Sequence, residues 1–285
     1  MARVLIAGCG YVGCALGERL VAASDTVWGL RRRPLTLPPG VVPIEADLAV
    51  SRSLRDLPGD LDFVVYAASP SGRDDAHYRT AYVEGLSRLL EALEQGRQSP
   101  RRIFFLSSTS VYEQSRGEWV DEASEASPRN YRGRRLLEAE TLLREGPFAA
   151  TALRLGGIYG PGRTRLLEQV RKGQATYRRG APHYTNRIHR DDCARAIAHL
   201  MACGATEPLF LVVDSEPAEE AVVLRWLAGA LGAPEPRPAK NAGDAQERGA
   251  RSNKRCRNDL LRASGYPLLY PTFREGYAAV IAQLT

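Results

Sequence analysis

The chain contains no apolar run approaching the roughly 18 residues that a membrane-spanning helix requires, so no membrane association is expected. Its first residues, MARVLIAGCG, offer one arginine and a very short apolar run closing on glycine, without the length or cleavage signal of a secretory leader. Cysteine is scarce, with five residues (Cys9, Cys14, Cys193, Cys203, Cys256) and no C-x-x-C pair. That odd number and spacing argue against a disulfide framework or a zinc site, so no metal is expected and a reducing cytoplasm is the expected compartment. Histidine numbers only four. Repeats and nucleic-acid motifs are missing, although the net charge is +6. The arginines fall in separate places: RRRP at 31–34, RNYRGRR at 129–135, RKGQATYRR at 171–179 and RGARSNKRCR at 248–257. Such a dispersed positive field suits a phosphate-bearing small molecule or plain solvent, so nucleic acid is not an expected partner.

What is present is length and an ordered alternation. At 285 residues the chain can bury a sizeable core. RVLIAG (3–8) is a continuous apolar run ending on glycine, and the next stretch, YVGCALGERLVAA, repeats Val12, Leu16, Leu20 and Val21 at helical spacing. Further apolar runs at 26–30, 41–46, 61–68, 101–108, 150–155 and 209–214 alternate with helical patterns at 82–94, about 132–145, 188–202 and 219–232. Strands apolar throughout, separated by helices, predict an α/β fold built on a Rossmann-type doubly wound parallel sheet. After residue 160 the pattern loosens. The expected organisation is a nucleotide-binding Rossmann domain over 1–160, to which part of 186–214 returns, and a smaller, partly interleaved C-terminal substrate lobe over 161–285. The stretch 233–253 lacks apolar periodicity and reads as a loop.

Gly8, Gly10 and Gly13 form G-x-G-x-x-G between the first strand and the first helix. There the first glycine permits a tight turn, the second lets backbone approach a pyrophosphate, and the third allows close helix–strand packing, with Tyr11 and Val12 in the same turn. The second strand ends WGLRRR. Arg31 and Arg32 stand where an acidic residue would take the ribose hydroxyls of NAD, and their guanidinium forks suit a 2′-phosphate. NADP is the expected cofactor and NAD the alternative.

Five more segments follow in order: EADL (45–48), VVYAAS (64–69), FLSSTSVYE (105–113), LRLGGIYGPGR (153–163) and NRIHRDD (186–192). With these in place the chain resembles the extended short-chain dehydrogenase/reductases, the NAD-dependent epimerase/dehydratase family, over nearly its whole length. The resemblance implies that Asp47 and Leu48 meet the adenine, that Ala67, Ala68, Ser69 and Ser107 line the cofactor, and that Gly156, Gly157 and Ile158 turn beneath the nicotinamide. It implies that Ser108, or its neighbour Thr109, hydrogen-bonds the reacting oxygen, and that Tyr112, Arg163, Asn186, Arg187 and His189 border the substrate. For His189 a packed strand-end role is the leading reading. It also implies a homodimer. Two departures are Ala7 at the first glycine of the family's G-x-x-G-x-x-G and Glu113 in place of the glycine of its V-Y-G.

The third departure lies in SPRNYRGRRLLEAE (127–140). In the family a tyrosine, lowered in pKa by a lysine four residues on, exchanges a proton with the substrate. Tyr131 and Arg135 share that spacing and therefore a helix face. Arginine keeps the charge but cannot be deprotonated in a protein. Fixing the family's later glutamate on Glu138 selects Asn130 and Arg134 instead, and fixing it on Glu140 selects Arg132 and Leu136; no register supplies a lysine. Tyr131 as working acid/base and Tyr131 as an ordinary helix-start residue both stay open. The expected function is an NADP-dependent oxidoreductase, epimerase or dehydratase acting on a small hydroxyl- or carbonyl-bearing substrate such as a sugar derivative. The alternative is a non-catalytic NADP(H)-binding sensor.

Overall fold

The computed structural model describes residues 1–34, 36–239 and 252–284; residues 240–251 of the loop expected over 233–253 lie outside it. Seven strands, β1 (Arg3–Ala7), β2 (Thr26–Arg31), β3 (Val42–Glu45), β4 (Phe63–Tyr66), β5 (Arg102–Ser108), β6 (Ala150–Leu155) and β7 (Leu209–Val212), make one sheet in the order β7-β6-β5-β4-β1-β2-β3. Every neighbouring pair is parallel. The continuous apolar runs follow from burial on both faces. Val4 and Ile6 point into one cluster with Leu16, Val65, Phe104 and Ile197, while Leu5 and Ala7 point into another with Val64, Tyr66, Leu89 and Phe105. Each such side chain contributes about 1.5–3 kcal/mol when fully buried, so a polar residue in β1 would be costly on either face.

Six helices matter for the site: α1 (Tyr11–Ala22), α2 (Gly85–Gln95), α3 (Tyr131–Glu145), α4 (Arg190–Ala202), α5 (Glu220–Leu231) and α6 (Phe273–Ala282). α1 and α4 pack together over the first face, and α2 and α3 cover the second. α3 begins where Asn130 caps it, its side-chain oxygen accepting the Gly133 N–H at 3.0 Å. A third cluster joins Tyr159, Leu167, Val223, Leu227, Phe273 and Tyr277, bringing α5 and α6 together. No helix among the described residues is long and apolar enough to cross a membrane.

Between a single helical turn, Asp75–Tyr78, and α2, residues Arg79–Glu84 form a π-helix. The sheet causes it. The Tyr66 hydroxyl donates to the Ala81 carbonyl at 2.5 Å, and a Cβ on Gly85 would lie 2.6 Å from that oxygen. A side chain inserted into the helical ladder forces the wider turn, a feature common at functional sites.

The chain runs outward from β1 to β3, then returns to β4 on the other side of β1. That reversal opens a crevice at the carboxyl ends of β1 and β4, where open α/β sheets hold ligands.

Candidate functional site

A cleft of about 1130 Å³ occupies that crevice. At its floor the phosphate turn divides labour among its glycines. Gly8 has φ +86°, and a Cβ there would strike the Ala68 backbone. Gly13 packs so that a Cβ would meet Ile6 Cγ2 at 2.9 Å. Gly10, by contrast, leaves room: its nearest neighbour to a Cβ is the Gly8 carbonyl oxygen at 3.8 Å. As N-cap of α1 it makes no side-chain capping bond, and the first turn holds no acidic residue. The orphan N–H groups of that turn and the positive end of the helix dipole therefore face the cleft, which Gly10, Tyr11 and Val12 line. This cradle fits a dinucleotide's diphosphate.

Arg31, Arg32 and Arg33 line the β2 end of the cleft. Arg31 Nη1 donates to Thr36 Oγ1 at 3.3 Å, and none of the three joins an ion pair among the described residues. Asp47, Leu48, Ala67, Ala68, Ser69, Ser107, Gly156 and Ile158 line it further along. Of the other residues expected at the cofactor, Gly13 sits behind the turn, and Gly157 donates its N–H to the Asn186 carbonyl at 2.9 Å beside the cleft. Tyr11 ties the turn to the opposite wall. Its hydroxyl donates to the Pro161 carbonyl at 2.9 Å, and the Arg163 guanidinium lies 4.1 Å from its ring.

Ser108 lines the cleft, with its hydroxyl accepting the Ser110 N–H at 3.1 Å; Thr109 is buried beside it and off the lining. Ser107 donates to Glu140 Oε1 at 2.5 Å. Glu140 in turn pairs with Arg154 at 2.7 Å, both side chains only 6% exposed, and Arg154 stacks 4.7 Å over the Tyr112 ring. Glu140 is thus the buried glutamate of α3, whereas Glu138 pairs with Arg135 at the surface. The register fixed on Glu140 sets Leu136 in the core and Arg132 over the Tyr78 and Tyr131 rings. Tyr131 and Arg135 do share one helix face, but the 73–78 segment covers it. The Tyr131 hydroxyl donates to the Arg73 carbonyl, and its ring meets Tyr78 edge-on at 5.4 Å. Arg135 grips Asp75 through Nε at 2.8 Å and Nη2 at 2.9 Å. Neither residue lines the cleft.

The family model for NAD dependent epimerase/dehydratase matches residues 4–208. The chain belongs to that family. Over 155 residues it is 32% identical to a 3-diazoavenalumate denitrifying reductase from a Streptomyces species, a match spanning 50% of this chain and 51% of that relative. A solved candidate NAD-dependent epimerase/dehydratase from Methylobacillus flagellatus is 37% identical over 99% of this chain and 98% of its own, with a TM-score of 0.81. Human epimerase family protein SDR39U1, solved with NADPH, shares the fold with a TM-score of 0.82 at 20% identity over 98% of this chain and 99% of its own.

Against the family's landmarks, several residues expected at the substrate are turned inward. Tyr112 is wholly buried, donates to the Asp121 carbonyl at 2.7 Å, and burial pushes its phenol up to about 12. Asn186 stitches strands, donating to the Lys254 carbonyl at 3.0 Å and accepting the Cys256 N–H at 2.7 Å. Arg187 bonds Thr185 Oγ1 at 2.7 Å. His189 is buried, caps α4 by accepting the Asp191 N–H at 3.2 Å, and is held toward its neutral form by desolvation. Arg163 alone of that set lines the cleft. Residues that no motif marks line it too: Arg33, Ser71, His77, Thr80 and Tyr82. The local signal for this stretch is Asp74, an N-cap aspartate whose carboxylate accepts the His77 N–H at 2.9 Å.

In this family member Asp214, after β7, carries a pH-dependent stability. Burial pushes its carboxyl up from 3.8 to about 8, only partly offset by the Arg187 charge. The folded chain then keeps a proton that the unfolded chain loses near its ordinary value, so stability falls as pH rises from about 4 to about 8. Asp214→Asn should flatten that slope in thermal melts taken across the window. Parallel profiles for the two proteins would refute it.

Proposed function

We propose that the protein is an NADP(H)-dependent oxidoreductase acting on a small hydroxyl- or carbonyl-bearing substrate, sugar derivatives included. The observation that carries this reading is the row of Arg31, Arg32 and Arg33 on the cleft wall with no carboxylate partner among the described residues. Arg31 and Arg32 would take the 2′-phosphate, the α1 N-terminus the diphosphate, and Asp47 and Leu48 the adenine. When bound, the cofactor supplies or accepts a hydride. Ser108 would hold the reacting oxygen at the β5 end, with the 161–285 part contributing substrate contacts such as Arg163. The reductase name of the Streptomyces relative supports the oxidoreductase part of this reading.

Losing one charge-assisted contact costs about 1.5–3 kcal/mol, so Arg31→Ala should weaken NADP(H) by roughly 10- to 150-fold and leave NAD(H) nearly unchanged. Calorimetric titration of both cofactors decides it, and equal affinities in the unmutated protein would sink the preference. A second reading, a non-catalytic NADP(H) sensor, is favoured by the engagement of Tyr131 with Arg73 and of Arg135 with Asp75 and Glu138. Absence of cofactor oxidation or reduction across sugar nucleotides, ketones and aldehydes, with no epimerised or dehydrated product, would select it.

A further inference from the structure

We propose that His77, held by Asp74, is the catalytic acid/base of this cleft in the place of Tyr131, an assignment that rests on the oxidoreductase reading. His77 lines the same cleft as Ser108. Its Nδ1 lies 2.7 Å from Asp74 Oδ1, and its Nε2 has no hydrogen-bond partner among the described residues. The ring rests on Gly72, where a Cβ would lie 2.6 Å from it. Asp74 is doubly committed to this residue, accepting both its backbone N–H and its ring, and those bonds hold the carboxyl below the usual carboxylate range. An imidazole whose Nδ1 is fixed by a carboxylate presents Nε2 as a directed proton carrier. Its side chain is 47% exposed, so solvent can reload it.

The position follows from the same contacts that occupy the family's pair. Arg135 on Asp75 and Tyr131 on the Arg73 carbonyl fasten the His77 turn to the start of α3. That first turn of α3 lies against the Ser110 carbonyl, 2.7 Å from where a Gly133 Cβ would sit. The turn carrying His77 and the strand end carrying Ser108 thus pack against the same helix, α3. Tyr82 also lines the cleft, but burial pushes that phenol up to about 12, and among the described residues no cation lowers it. In a reduction the carbonyl carbon receives the hydride that turns NADPH into NADP⁺. The carbonyl oxygen takes the proton from imidazolium Nε2, leaving neutral His77 to be reprotonated by solvent. In oxidation the same proton returns to Nε2.

Two measurements test this. Ring ¹H–¹⁵N correlation spectra of the unmutated protein at alkaline pH should show His77 as the Nδ1–H tautomer, with an Nε2 resonance that moves on adding NADP⁺; Asp74→Asn should remove the tautomer preference. An Nε2–H tautomer, or an Nε2 resonance that ignores NADP⁺, overturns the assignment. In turnover with NADPH over a panel of aldehydes, ketones and sugar nucleotides, His77→Gln should lower kcat by roughly 100- to 10,000-fold with NADPH affinity and melting temperature unchanged. Tyr131→Phe, which removes one bond fastening the His77 turn and leaves the proton carrier in place, should cost far less than His77→Gln. Turnover by His77→Gln at the unmutated rate overturns His77 alone. Failure of the unmutated protein to turn over any substrate overturns the oxidoreductase reading and the assignment with it.

Discussion

Gly10→Val should abolish binding of NADP(H) and NAD(H) alike while leaving the protein folded. The three glycines of the phosphate turn are not equivalent, and only this one separates binding from folding. A side chain at Gly8 would be strained by its φ of +86° and strike the Ala68 backbone, and one at Gly13 would press on Ile6. At Gly10 the φ is −106° and a Cβ meets nothing closer than 3.8 Å, so the turn has room for the start of a side chain, which would extend into the cradle instead. Displacing a diphosphate from even two N–H groups, at about 1.5 kcal/mol each for a charged acceptor, amounts to roughly 100-fold or more. Titration of both cofactors beside a thermal melt reads the two effects separately. Retained affinity with an unchanged melt would make the turn purely structural.

The second large effect is expected from Glu140→Ala. This residue joins α3 to two strands, accepting from Ser107 on β5 and pairing with Arg154 on β6. Removing it leaves the Arg154 guanidinium, 6% exposed, without a counter-charge and the Ser107 hydroxyl without its acceptor. Breaking a buried pair from one side costs about 3–5 kcal/mol, whereas replacing both partners by apolar groups of similar volume is often neutral. Denaturant unfolding should therefore show a large loss for Glu140→Ala and recovery of most of it in Glu140→Leu/Arg154→Met. A single variant as stable as the unmutated protein would show the pair contributes little.

The sheet was readable because a parallel strand buried on both faces must be apolar at every position, as Val4, Leu5, Ile6 and Ala7 are. The phosphate turn was readable because its geometry is local. The helix start at 131 was harder. Spacing correctly put Tyr131 and Arg135 on one face, but what that face meets is decided by partners 58 and 60 residues away, Arg73 and Asp75. No periodicity reports such contacts. Glu140 and Glu138 were equally plausible landmarks in the sequence, and only burial distinguishes them. His77 is not legible for a related reason: its stretch has no apolar pattern, since none of residues 75–84 is fully buried.

The π-turn at 79–84 acts as a mechanical bearing between two sections of one rod. One residue extra in a turn rotates everything before it by about 100° relative to everything after it. The section after it, α2, is anchored to the sheet by Leu86, Leu89 and Leu93. The section before it carries His77 and faces the cleft. Substitutions in the first section can therefore accumulate without disturbing core register, provided Tyr66 keeps its grip on the Ala81 carbonyl and residue 85 stays without a side chain.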